Sequence, residues 1–553
     1  MSLLKKKQKH TMTGTEISEL LVRVLISAYT ILIVILLPLC YRNSYYDIGD
    51  FKYELFSGMT TLLFVLMLPA LLFYLISNLR AKTWGNSNFF RIFAELSFID
   101  RFVLLYLLAC FVTFLLSPYQ TFQFFGADAS NPAWTGYSGW FMGFKSQLMF
   151  IVLYFLVSRF FMKSWKTDLL IALTGASAIV FLLGILHRFL IDPLSLYKEI
   201  DSYYYPLFLS TIGQSTWYSS YLCTVFPIGL FLFWHCGKRW QRILLGIYSA
   251  IGFASLVTQN SDSAYFALAA FLSVLFAFSF QSVTSLRRFL EVLLIGALSM
   301  RLIGIFQLLF PDRAIPVDKL SAFFSQNPFL WIAIFILVLL YFLLVHLEIN
   351  GRFQIESMVC VRRLGLFLIA AAIPAGLLCI VLTTTGHLPA FLSSFERFGY
   401  FIFDENWGNG RGFTWKYCIS MFAEYPLKLK LFGVGSDCFA SYTYDYHADF
   451  VAAKWGESVL ANAHNEWMNM LLTTGIFGLI TYTGIFISSF VLFIREQKNS
   501  IFLLAAAGCI GSYFFHNLFC YQQVVCTPFI FLIIGLGEFV RREHSGKLCA
   551  DTK

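Results

Sequence analysis

The chain has 553 residues, 58% of them hydrophobic and 13% charged, with a net charge of +9. Soluble domains run about 45–50% apolar and about 25% charged, so this composition excludes an ordinary soluble fold. The positive charge does not indicate nucleic acid. The basic residues sit in short clusters between apolar runs, where they set membrane orientation and attract anionic headgroups.

Lys5, Lys6, Lys7 and Lys9 precede the first apolar run, which lacks a small-residue cleavage site and reads as a retained first helix. A helix needs roughly 20 apolar residues to cross a bilayer. Runs of that kind fall at about 18–40, 55–78, 102–117, 145–162, 168–189, 216–235, 242–259, 264–281, 290–310, 328–347, 364–384, 466–494, 501–518 and 522–540. They predict an all-α fold, a polytopic transmembrane helical bundle of about fourteen spans. The run after Arg101 is short, and the polar Asn260-Ser261-Asp262-Ser263 splits two others.

With the N-terminus cytoplasmic and the spans alternating, the inner loops hold the basic clusters. These include Lys163 and Lys166, Lys238 and Arg239, Arg287 and Arg288, Arg362 and Arg363, Arg495 and Lys498, and Arg541 and Arg542. Both termini are therefore expected inside. Three regions follow: an N-terminal transmembrane bundle at 1–384, an extracytoplasmic loop at 385–463, and C-terminal transmembrane helices with a cytoplasmic tail at 464–553. The loop at 385–463 is too long for a passive connector, and long loops are often functional. No internal repeat of fixed period is visible.

The twelve cysteines have no CxxC pair or zinc-type spacing. Cys110, Cys223 and Cys509 lie in apolar runs and read as small core residues. Cys418 and Cys438 share the long loop; paired and free states both remain open.

Within that loop, Asn409-Gly410 marks a turn and Arg411 follows it. A short amphipathic helix is predicted next, with Trp415, Cys418, Ile419, Phe422 and Tyr425 at helical spacing and Pro426 ending it. After the Gly-rich turn GVGSD, ANAHNEWMNMLLTTGIFGLI enters a membrane helix that begins at Asn462 or His464. Gly475 and Gly478 would let a neighbouring helix approach closely.

Each candidate carries two readings. His464, at the mouth of a helix whose positive dipole end disfavours imidazolium, suits a general base; alternatively His464 and Asn465 cap the helix. Arg411 presents a fork of donors that matches phosphate oxygens, or pairs with Asp404 or Glu405 at the surface. Arg301 lies near the middle of a span, where a charge needs a partner and is either functional or structural. Asp262 and the pair His187-Arg188 sit at outer ends, as part of a polar site or simply at the interface.

Together, GRGFTW, LFGVGSDCF and AHNEW…TTGIFGL, with STIGQSTWYSSYL at 210–222, resemble the O-antigen ligase and polymerase superfamily. These are membrane glycosyltransferases with a polytopic fold of the integral-membrane type. The ordered motifs cover roughly 210–480. The resemblance implies transfer of a glycan from a polyprenyl diphosphate carrier to a hydroxyl of a glycan or glycolipid acceptor, at the outer face of the cytoplasmic membrane, with no cofactor or metal. It implies that Arg411 holds the diphosphate and His464 assists the acceptor hydroxyl, with Asn465 beside it. The sequence departs from the family where a second arginine is common: NSDSAYFAL puts Asp262 there. Pro206 to Leu209 stand where another arginine is common. Diphosphate neutralisation would then be shared with Arg188, Arg301 or Arg397. A transporter or flippase of lipid-linked glycans is the alternative from another class, and an export-complex scaffold a third.

Overall fold

The computed structural model describes residues 12–81, 95–127, 139–351, 354–389, 392, 399–456 and 458–545. Among the described residues, fourteen helices match the fourteen apolar runs and four lie in the long loop. In chain order, the fourteen and the longest loop helix are α1 (Gly14–Leu39), α2 (Ile48–Ala81), α3 (Phe98–Leu116), α4 (Phe144–Phe160), α5 (Lys166–Arg188), α6 (Ser215–His235), α7 (Arg239–Thr258), α8 (Ser263–Ser279), α9 (Val283–Leu309), α10 (Phe329–Ile349), α11 (Val359–Thr384), α12 (Trp407–Glu424), α13 (Glu466–Arg495), α14 (Ile501–His516) and α15 (Thr527–His544). The protein is thus a polytopic helical membrane protein. The one sheet among the described residues is a two-residue antiparallel pairing, Phe208–Leu209 with Gly213–Gln214.

Ten of the described helices are long and apolar enough to cross a membrane, fewer than the fourteen expected. The other four runs also form helices, but α8 and α14 are short, and α4 and α15 carry charge. The reason is where they sit. α14 and α15 are almost wholly enclosed by protein, as is α6. A helix that meets other helices along its length is freed from the composition that lipid imposes. At the other extreme, α10 and α11 expose nearly all of their apolar side chains, the composition a lipid-facing helix requires.

Polar side chains hold the enclosed helices together. Ser512 Oγ on α14 donates to the Cys223 carbonyl on α6 (2.6 Å), and Tyr29 and Thr60 share a hydrogen bond between α1 and α2 (2.7 Å). At one end of the bundle, Asp100 at the start of α3 takes Arg159 of α4 (2.8 Å) and Arg542 of α15 (2.5 Å), and accepts the Tyr154 hydroxyl (2.7 Å). Glu538 ties Arg541 and Arg542 into the same cluster, and Arg541 reaches Glu496. Three carboxylates thus meet three guanidinium groups, so a buried charge set is neutral overall. The opposite end gathers the loops that carry the candidate residues.

Candidate active site at one end of the bundle

Gly408, Asn409 and Gly410 all take left-handed backbone, with φ of 61°, 60° and 86°. The chain folds back on itself there before the regular part of α12. The expected turn and helix are present, and Pro426 follows its end, but the buried face differs. Phe413, Tyr417, Cys418, Met421 and Tyr425 are buried, whereas Ile419 faces outward. Cys418 and Cys438 are both buried and unbonded.

The turn aims Arg411 across to the loop between α14 and α15. Its Nη1 donates to the Gly408 carbonyl (2.8 Å), its Nη2 to the Phe519 carbonyl (3.1 Å), and its Nε is buried with no acceptor. Neither Asp404 nor Glu405 pairs with it, and Glu405 instead approaches Lys454 (3.9 Å). A guanidinium held by carbonyls keeps an unneutralised charge and one free N–H, the state that suits an anion. Burial holds its pKa below the usual arginine range, with Cys520, Asp262 and Tyr521 acting the other way.

His464 lies beside it. Trp415 of α12 donates to the Ala463 carbonyl (3.1 Å), which ties Arg411's helix to the residue before the histidine. His464 has φ 47°, an uncommon backbone for a side chain with a Cβ, and its amide donates to Asn462 Oδ1 (2.9 Å). Its ring stands edge-on to Tyr521 at 5.6 Å. The imidazole is held down to about 4, by burial first and then by the Arg411 charge. The imidazole is therefore neutral, as read from the sequence, but burial and Arg411 are what keep it so. The helix begins later than expected: Asn465 is the cap, its Oδ1 accepting the Met468 amide (3.0 Å). Its side-chain oxygen is thereby committed to the fold rather than to a substrate.

α13 is broken at Gly475 (φ 71°, ψ −172°). The break frees the carbonyls of Leu472 and Thr473, which accept the amides of Val434 (3.1 Å) and Gly435 (2.9 Å) from the GVGSD turn. A Cβ on Gly475 would lie 2.3 Å from the Leu431 carbonyl, and one on Gly433 2.3 Å from that of Thr473. Gly475 thus permits the close approach expected of it. Gly478 does not, since the neighbour there is Thr474 of the same helix.

The turn ends at Asp437, again with left-handed backbone (φ 62°). Its Oδ2 accepts the amides of Trp140 (2.9 Å) and Met142 (3.1 Å). Burial pushes the carboxyl up to about 7 against those two hydrogen bonds. Asp437 lines a cavity of about 20 Å³ with Trp140, Ser436, Asn462, Asn469 and Tyr521. Behind it, Glu466 is fully buried and accepts the hydroxyls of Tyr482 (2.5 Å) and Tyr513 (3.0 Å) and the Asn517 amide. Gln522 continues the network by donating to Tyr482 (2.8 Å) and accepting from Gln147 (2.8 Å).

The remaining candidates divide. Asp262 lies within the electrostatic reach of Arg411 and accepts the Tyr400 hydroxyl (3.0 Å); burial, reinforced by Asp318, raises it to about 6. Arg188 is not offered to a substrate: it is fully buried, with Nε and Nη2 on the Thr258 carbonyl (2.9 and 2.6 Å) and Nη1 on Pro316 (3.3 Å). Arg301 donates through Nη1 to the carbonyls of Ser325 (3.0 Å) and Gln326 (2.7 Å) and lies over Trp331, while its buried Nε, like that of Arg411, has no acceptor. Both arginines satisfy carbonyls that would otherwise be left at helix ends. Arg397 lies outside the described residues. Asp437, Tyr521 and the Glu466 network were not picked out from the sequence. GVGSD contains Asp437 and AHNEW contains Glu466, but their partners stand at 139–147, 482 and 513–522, away from the motifs in the chain.

Residues 320–483 match the family model described as O-antigen ligase. The match includes Arg411, Asp437, His464 and Asn465 and leaves Arg188, Asp262 and Arg301 outside it. Residues 320–483 are thus O-antigen ligase-like, and the match supports a role in cell-surface polysaccharide assembly. No curated protein matches the chain.

Proposed function

We propose that this protein is a metal-independent glycosyltransferase that moves a glycan from a polyprenyl diphosphate carrier to a hydroxyl acceptor, at the outer face of the cytoplasmic membrane. The observation that carries the reading is the meeting of Arg411 and His464 on the Phe519–Tyr521 loop. In the transfer, the acceptor oxygen forms a bond to the anomeric carbon and the bond from that carbon to the phosphate oxygen breaks. The electron pair leaves with the diphosphate, whose charge Arg411 offsets. The hydroxyl proton passes to the neutral imidazole of His464. Arg411's free Nε–H and His464's neutral imidazole support these assignments.

The test separates binding from transfer in purified protein, with folding checked first. Arg411→Lys keeps the charge but loses the fork, so carrier-linked donor should bind roughly ten- to a hundredfold more weakly. His464→Ala should still bind donor, while transfer falls by about 10²–10⁴-fold. If His464→Ala loses donor binding and Arg411→Lys keeps both, the roles are wrong. Normal turnover by both variants, or activity that EDTA abolishes and magnesium restores, would sink the mechanism.

The broken helix favours the transporter alternative, since transporters often bind cargo at interrupted helices. Here the freed carbonyls are taken by Val434 and Gly435, which leaves no ligand site at the break. Transfer in detergent, where no second compartment exists, decides between the two.

A further inference from the structure

The cavity beside His464 has chemistry that neither Arg411 nor His464 uses. Asp437 commits one oxygen, Oδ2, to two backbone amides; Oδ1 accepts no hydrogen bond among the described residues and is not sealed in. Asn462 and Asn469 spend their side-chain oxygens on the amides of His464 and Ala463. That leaves their NH₂ groups as donors. Ser436 adds a hydroxyl, and Trp140 and Tyr521 form an aromatic wall with ring centroids 5.7 Å apart. No lysine or arginine lines the cavity, so it is not built for phosphate. It offers an acceptor and donors to one small polar group, and aromatic faces to the apolar C–H face of a ring. A space of about 20 Å³ holds roughly one water-sized group. It therefore takes a single hydroxyl, with the rest of the ligand outside.

We propose that this cavity binds one hydroxyl of a saccharide acceptor, that Asp437 Oδ1 accepts its hydrogen bond, and that Asp437 is a specificity-determining residue. The proposal rests on the transfer reading, because Tyr521 borders both this cavity and His464 and so places the bound sugar next to the base. The site selects a polyol over a simple alcohol or water, since those have no second hydroxyl to lodge there.

Asp437→Asn is a clean probe. Its amide oxygen still accepts the Trp140 and Met142 amides, so the turn is kept, while an NH₂ donor replaces Oδ1. Saturation-transfer NMR on the full-length detergent-purified protein would use methyl glycosides of glucose, galactose, mannose and N-acetylglucosamine, and polyprenyl diphosphate in a parallel titration. At least one glycoside should bind the wild type, and Asp437→Asn should weaken it roughly ten- to a hundredfold. The variant should bind polyprenyl diphosphate as the wild type does, which also reports its fold. If no glycoside binds, or if Asp437→Asn binds it equally well, the cavity holds only an ordered water and the inference fails. If glycosides bind through Asp437 but polyprenyl diphosphate shows no Arg411-dependent binding, the saccharide site stands and the donor reading falls. The converse pattern keeps the donor and removes this site.

Discussion

His464 owes its neutral state partly to the cation next to it, and this coupling has a measurable sign. Burial and then Arg411 hold the imidazole down to about 4, so it is neutral above that pH and becomes protonated, and useless as a base, as pH falls through it. If a diphosphate anion settles on Arg411, as proposed, the repulsion that disfavours imidazolium is offset and the imidazole becomes more basic. The acid limb of kcat should therefore lie at higher pH than that of kcat/KM, which reports the free enzyme. Asp262 and Asp437, raised to about 6 and about 7, titrate nearby, so the profiles should be repeated in their asparagine variants. Coincident limbs in those variants would mean that donor binding does not tune the base. At this scale the sequence showed the two residues that end motifs, Arg411 and His464. It hid Asp437 and Tyr521, because their significance comes from partners in other loops. It also over-read Arg188: a cation among apolar residues suggests function, but backbone carbonyls occupy its Nε and both Nη nitrogens.

Among the elements, the broken helix α13 is the one on which the site depends. Its break at Gly475 and the turn at Gly433 touch backbone to backbone, and two amide bonds then set where Asp437 stands. Gly475→Ala adds a Cβ with no space for it, at a residue whose φ of 71° already disfavours a side chain. It should cost at least about 2 kcal/mol of stability, within the range of strained-backbone and overpacking changes, and should disable transfer through misplacement of the 434–437 turn. Thermal unfolding in detergent and single-turnover transfer would measure both, and a variant as stable and active as the wild type would show that the break has no such role. Apolar length revealed the fourteen helices of the bundle, since a span must be long and apolar whatever it packs against. It could not separate the enclosed α6, α14 and α15 from the lipid-exposed α10 and α11, because an enclosed helix can still carry a long apolar run. Nor could hydropathy reveal the break, which lies inside an unbroken apolar run.

Across the whole molecule, the candidate residues collect at one end and the neutral charge cluster at the other. With the basic loops cytoplasmic, as proposed from their charge, the first end faces outside. A single cysteine introduced at Asn406, beside the Arg411 turn, should react with a membrane-impermeant reagent in intact cells that are otherwise unreactive. Labelling only after permeabilisation would invert the topology and remove the site from the face where carrier-linked glycans would meet it. The charge cluster joins α3 and α4 to α15, that is, residues 100 and 159 to residue 542. During synthesis the early carboxylate and guanidinium enter the membrane hundreds of residues before the last helix supplies Arg542 and Glu538. Until then the nascent bundle lacks the enclosing wall for its own charges, and a ribosome that stops short of α15 leaves an unfinished chain exposing them. α15 thus acts as a latch that closes on helices made hundreds of residues earlier.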